Sequence, residues 1–246
     1  MLFNKEFRGA MLLAAILTSG CATTGSTGTG EDTFEGYNRA MTSFNNGADR
    51  VLLKPLARGY RAVTPDVLER GVSNFFSNLG TTSDILNNLL QGKPLDALSD
   101  TGRLVVNSTI GIGGLFDVAS KSGMPAHNED FSQTLATWGV PSGPYVVLPF
   151  LGPSTVRGVV GLPVDRATSL IEHLDDSGTE DKLTILQIVS IRASLLSLDD
   201  QINAANDPYI FVREAYLQRR NYLVYDGEPP LEEDDFEIED DFDDDL

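Results

Sequence analysis

One cysteine stands in this chain of 246 residues, Cys21, at the end of the stretch LTSGC. A thiol can attack a substrate, ligate a metal, join a disulfide or carry an acyl chain. A disulfide needs a second cysteine, and there is none. Zinc needs further ligands at short spacing, and the two histidines, His127 and His173, form no H-E-x-x-H or similar arrangement. Acylation needs only the right approach to the thiol. Lys5 and Arg8 make a basic start, Ala10 to Leu17 an apolar run, and small Ser19 and Gly20 precede the cysteine. Residues 1–20 therefore read as a signal peptide, too short for a stable transmembrane helix. The junction resembles a bacterial lipobox, with Thr18 where leucine usually stands and Leu17 one place early. The competing reading is an ordinary signal peptide beside an incidental cysteine. Acylated Cys21 makes the mature chain a lipid-anchored protein. Ala22 follows where inner-membrane retention signals carry Asp, so the outer membrane is the expected destination.

Other chemistry is sparse. No G-x-S-x-G elbow activates a serine, and no G-x-x-x-x-G-K-[ST] loop cradles a nucleotide. Gly111, Gly113 and Gly114 lack the G-x-G-x-x-G spacing, and no strand is expected before them. No enzyme activity, cofactor or metal is expected.

The net charge is −18, unevenly spread. Thirteen acids and no base lie between Asp226 and Leu246, leaving 23 acids against 18 bases in the rest. Residues 226–246 read as a solvated, disordered acidic tail. Phe236, Ile238 and Phe242 leave a docking peptide open as a second reading. The remainder is mildly acidic and offers no basic face to nucleic acid. Residues 21–33, rich in Gly, Ser and Thr, read as a flexible tether, and 34–225 as the folded body.

Within the body the apolar period is helical. Tyr37, Met41, Phe44, Ala48 and Val51 step by four and three over Glu35 to Leu53. Thr64-Pro65 starts a helix through Leu68, Val72, Phe75 and Leu79. A shorter helix over SDILNNLLQG ends at Gly92, and another restarts after Pro94. A short helix over NEDFSQTLATWGV stops at Gly139 and Pro141. STVRGVVG and LPVDRATSLIEHL give two more, and the stretch from Glu180 to Asn206 the longest. Its Ile188, Ile191, Leu195, Leu198 and Ile202 form a seam for a partner helix. Asp207-Pro208 caps the last helix. No alternating strand is evident, so the expected class is all-α.

Six segments occur in a fixed order: EGYNRAMTSFNNGADR, PLARGYRAVTPDVLERGVSNFFSNL, LQG, GIGGLFDVA, TLATWGVPSGPYVVLPFLGPSTVRG and DPYIFVREAY. Together they resemble the MlaA (VacJ) lipoprotein family over about Glu35 to Tyr225. The usual family start DPLEGFNR reads DTFEGYNR here, with Thr33 and Phe34 in place of Pro and Leu. The resemblance implies a single compact ring- or disc-like helical domain, partly embedded in the membrane, with short apolar hairpins around an amphipathic channel. It implies a protein that removes mislocalised phospholipid from the outer leaflet and delivers it to a periplasmic lipid-binding carrier, preserving lipid asymmetry. It also implies association with a trimeric porin. Rival readings are a helical scaffold docking on porins or envelope proteins without moving lipid, and a lipid hydrolase without the common elbow.

Under that resemblance the apolar segment GPYVVLPFLGP, Gly143 to Pro153, gains a place. It is too short to span a bilayer and too broken by proline for a helix. Irregular backbone is tolerated at membrane depth only when covered by protein or lining a wet cavity. Gly143, Pro144, Tyr145, Pro149 and Phe150 are therefore candidates for a hairpin packed on the ring. Gly111, Gly113, Gly114, Leu115 and Phe116 are candidates for a similar one beside the channel. The alternative for both is ordinary core filling. Arg103 and Arg157, beside these hairpins in sequence, are candidates for contacting phosphate, with helix-end salt bridges as the alternative.

Overall fold

The computed structural model describes residues 32–174 and 176–230. The signal segment, Cys21, most of the tether and the acidic tail from residue 231 lie outside them. Helix dominates. We label α1 Glu35–Ala48, α2 Lys54–Val63, α3 Asp66–Leu90, α4 Pro94–Thr109, α5 Val118–Lys121 and α6 Phe131–Thr137. A hairpin of β1 (Tyr145–Leu148) and β2 (Gly152–Thr155) follows. Then come α7 Val156–Thr168, α8 Ser177–Ser194, α9 Asp199–Ala204 and α10 Pro208–Val224.

Local chemistry explains most boundaries. Asp207 accepts from the Tyr209 and Ile210 amides at 2.9 and 3.3 Å, with Pro208 at the first helical position. Asp130, Thr155 and Asp176 cap α6, α7 and α8 in the same way. A single π-helical segment, Asp49–Leu53, joins α1 to α2 without a break. Asp49 there pairs with Arg192 at 2.6 Å, Arg192 with Asp199 at 2.9 Å, and Asp199 with Lys54 at 2.7 Å.

Four expectations need correction. The helices expected over 65–79 and 83–92 are one, α3. Thr81 and Thr82 return their hydroxyls to the Ser77 and Leu79 carbonyls, so the small polar run around Gly80 stays helical. The pair expected over 154–174 is one helix that passes through Pro163, followed by a turn of 3-10 helix, Ile171–His173. The long helix of 180–206 changes to 3-10 geometry at Leu195–Leu198 before α9. Strands exist where none was expected: β1 and β2 pair antiparallel with Tyr145 opposite Thr155 and Leu148 opposite Gly152.

Burial is inverted relative to a water-soluble core. Among the described residues, sixteen polar or charged residues are buried against nine apolar ones. The largest fully buried side chains are Gln133, Asn38, Asn87, Asn88, Thr134 and Asp100, all polar. Large apolar residues instead lie outside: Val63 is 81% exposed, Val51 and Leu95 79%, Phe150 73%. The expected seam belongs to this set, since Ile188, Ile191, Leu195 and Leu198 are all exposed. A small apolar nucleus remains where Tyr145, Val147 and Tyr209 meet Met41, Tyr216 and Leu217. No described helix is long and apolar enough to cross a membrane.

Candidate functional site: polar hollows beside helix α3

Helix α3 forms the wall of a two-chambered hollow. The wider chamber, about 600 Å³, takes Arg61 from α2, Asp66, Glu69, Arg70 and Ser73 from α3, and Gln187 from α8. The narrower, about 260 Å³, takes Gly80 and Ser83 from α3, with Asp130, Asp165 and Ser169 opposite. Both chambers share Phe76 and Gln187, so they lie side by side along the helix, and we refer to the pair as the corridor. Asp66, Glu69, Arg70, Ser73, Ser77, Gly80 and Ser83 are spaced by one, three and four, which places them on one helical face.

Buried carboxylates line and back the narrow end. Asp130 takes a two-pronged bond from Arg220, at 2.5 and 3.0 Å. Burial pushes Asp165 up to about 6, partly offset by the Phe131 amide that donates to it at 2.7 Å. Burial likewise raises Asp84 to about 7, against the Glu129 amide donating at 2.8 Å. Behind it the Thr134 hydroxyl donates to Asn87 at 2.7 Å and Asn88 donates to Asp100 at 2.8 Å. Gln91 donates to Glu129 at 2.7 Å. His127 lies 2.9 Å from Asp100 through Nδ1. This network pairs much of the polar interior beside the corridor, while the buried Asn88 Oδ1 and Gln133 Oε1 have no hydrogen-bond partner.

The two glycine-rich segments flank the fold as anchored loops with apolar tips. Gly111–Phe116 ends α4. The Gly113 and Gly114 amides return to the Ser108 and Asn107 carbonyls at 3.0 and 2.8 Å, and both glycines have positive φ. A side chain at Gly111 would meet the Phe116 oxygen at 2.2 Å. Ile110, Ile112, Leu115 and Phe116 are exposed, while Asn107 below them is buried. Gly143–Pro153 contains the β-hairpin, whose tip exposes Phe150 and Leu151.

Both candidate arginines sit at the bases of these loops. Arg103 is buried and donates to the Met124 carbonyl at 2.5 Å, to Ser120 at 3.1 Å and to Asp117 at 3.3 Å. Burial opposes ionisation of Asp117, yet bonds from Ser120 and Asn107 and the Arg103 charge hold it at about 2. Arg157 donates to the Val140 carbonyl at 2.9 Å, and its backbone amide bonds the Ser142 carbonyl. Burial, then Arg220 nearby, lowers its basicity. Neither lines a chamber. The charged residues that do, Arg61, Asp66, Glu69, Arg70, Asp130 and Asp165, escaped the sequence reading. Their signal was the polar stripe on α3, which reads equally as a solvated face. Cys21 lies outside the described residues.

The family model described as MlaA lipoprotein matches residues 30–223 of this chain. The chain belongs to the MlaA lipoprotein family. It is 36% identical over 224 residues, 89% of each chain, to the intermembrane phospholipid transport system lipoprotein MlaA of Escherichia coli K12. The protein of the same name from Haemophilus influenzae is 34% identical over 223 residues, 88% of this chain and 89% of that one. Among solved structures, one described as the structural basis for maintenance of bacterial outer membrane lipid asymmetry aligns with TM-score 0.70. The two are 34% identical, and the alignment covers 79% of this chain and all of that one. The MlaA family match spans both chambers and both apolar loops.

Proposed function

We propose that this chain is the outer-membrane lipoprotein of an intermembrane phospholipid transport system, and that its corridor carries phospholipid out of the outer leaflet. The observation that carries this reading is the inverted burial: polar side chains fill the interior while leucine, isoleucine, valine and phenylalanine face outward. In water such a surface costs about 25 cal/mol for every Å² of apolar area. Against lipid acyl chains that cost vanishes. The names of the relatives above, which share its whole folded body, support the same reading.

Acyl chains on Cys21 hold the domain at the membrane, and the exposed loops of Gly111–Phe116 and Gly143–Pro153 seat it in the leaflet. A phospholipid resists crossing because its charged head must leave water. The corridor supplies polar walls for the head, with Phe76 and Ile191 beside it for the acyl chains. No bond is broken, so the protein is a conduit and not an enzyme. Direction comes from delivery to a periplasmic lipid-binding carrier, and a trimeric porin provides the outer seat. The test is phospholipid accessible at the cell surface. Deleting the gene should raise it, and the full chain should restore the wild-type level. Unchanged surface phospholipid in the deletion strain refutes the reading.

A further inference from the structure

The wider chamber holds four charged side chains of balanced sign: Arg61, Arg70, Asp66 and Glu69. Arg61, Asp66 and Arg70 are exposed and Glu69 half-buried, whereas the half-buried Arg220 and Arg192 are matched to Asp130 and Asp49. Among the described residues, these four make no ion pair or side-chain hydrogen bond with one another or with any neighbour. Asp66, Glu69 and Arg70 stand at i, i+3 and i+4 of one helix, so they share a face. Arg61 approaches from the preceding helix across the Thr64-Pro65 corner. The result is an open cleft with two guanidinium groups, two carboxylates and an apolar edge.

We propose that this cleft is a head-group subsite selective for zwitterionic phospholipid bearing a primary ammonium, such as phosphatidylethanolamine. The inference rests on the reading of the chain as a phospholipid conduit. Guanidinium matches a phosphate diester in charge and geometry, which assigns the phosphate to Arg61 and Arg70. The ammonium then falls to Asp66 and Glu69. A glycerol head carries the phosphate but no cation, so it leaves both carboxylates facing an anion. That arrangement rejects by like charge as well as by a missing partner. The volume, about 600 Å³, suits a head group with its glycerol and the first methylenes, within the ordinary size of ligand sites.

The experiment uses the full lipidated chain in detergent, incubated with an equimolar mixture of phosphatidylethanolamine and phosphatidylglycerol of identical acyl chains. Bound lipid is counted by native mass spectrometry. The expected wild-type preference for phosphatidylethanolamine is about fivefold, the size given by roughly 1 kcal/mol of ion pairing. Asp66→Asn with Glu69→Gln should bring the ratio to about one while total lipid stays constant. Arg61→Gln with Arg70→Gln should lower both lipids. Equal wild-type binding of the two, or a ratio unmoved by Asp66→Asn with Glu69→Gln, overturns the head-group assignment and leaves lipid carriage standing. Absence of both lipids from the wild type overturns the head-group assignment and the lipid carriage alike. Soluble glycerophosphoethanolamine competing as well as intact lipid reassigns the cleft to free head groups and overturns the lipid claim.

Discussion

Asn38 and Asn45 stand seven residues apart on α1, and their amides together replace the missing neighbour of strand β1. Asn38 receives the Val147 amide at 2.8 Å and donates to the Tyr145 carbonyl at 3.1 Å. Asn45 receives the Phe150 amide at 2.8 Å and donates to the Leu148 carbonyl at 2.9 Å. Seven helical residues rise about 10.5 Å and three strand residues about 10 Å, so the two repeats stay in step. A hairpin whose edge would otherwise lie open is closed by two side chains.

Removing Asn38 strands two buried backbone groups. Asn38→Ala should cost about 2–4 kcal/mol in unfolding free energy, measured by urea titration in detergent. Asn45→Ala, nearer the exposed tip, should cost about 1 kcal/mol. Equal small effects at both positions contradict the bracket.

Three glycines of one turn should behave differently. An alanine side chain at Gly111 meets backbone oxygens at 2.2 and 2.4 Å, and one at Gly114 meets Asn78 at 2.6 Å. Gly113 has nothing within 4 Å and only its φ of +66° to object. Gly113→Ala should therefore cost about 1 kcal/mol, and Gly111→Ala more than about 2. A thermal melt of each variant gives the order.

Asp84 sets a pH dependence. Its folded value near 7 lies above the unfolded 3.8, so the protonated form favours the fold. Asp165, raised to about 6, acts in the same direction. Stability should be fully supported by these two groups below about pH 4 and lost as pH rises through 6 and 7. The slope is at most about 1.4 kcal/mol per pH unit per group. Asp117, held at about 2, works oppositely and sets the acid limb. Asp84→Asn keeps an acceptor for the Glu129 amide and should flatten the curve between pH 5 and 7. A profile unchanged by Asp84→Asn contradicts the assignment.

The apolar tips should carry membrane affinity independent of the anchor. In a Cys21→Ser chain without lipid, Phe150→Asp with Ile112→Asp should reduce flotation with phospholipid vesicles about tenfold or more, since each buried side chain contributes about 1.5–3 kcal/mol. Both tips are exposed, so the melting temperature in detergent should hardly move. Undiminished flotation would show that the coat does not face lipid.

Local signals carried far in this chain. Asp207-Pro208 marked its helix start, and the Gly-Pro ends of Gly143–Pro153 marked a non-helical apolar segment. The strands within it were hidden because β2 is Gly-Pro-Ser-Thr, with no apolar alternation, and β1 is completed by asparagines about a hundred residues away. Ile188 and Ile191 show a second limit. A period of three and four marks an apolar face but not whether protein or lipid covers it. The corridor was illegible for the matching reason, since a polar stripe on α3 looks the same whether it meets bulk water or an enclosed passage.

The central claim is that phospholipid passes through the hollow beside α3. A photoreactive residue placed at Ser77, on the chamber wall, tests it in living cells. Illumination should join phospholipid to the chain at this position, and Arg61→Gln with Arg70→Gln should weaken the adduct. A folded, membrane-located variant that yields no lipid adduct from Ser77, while a probe at outward-facing Phe150 does, would mean that lipid touches only the coat and never enters.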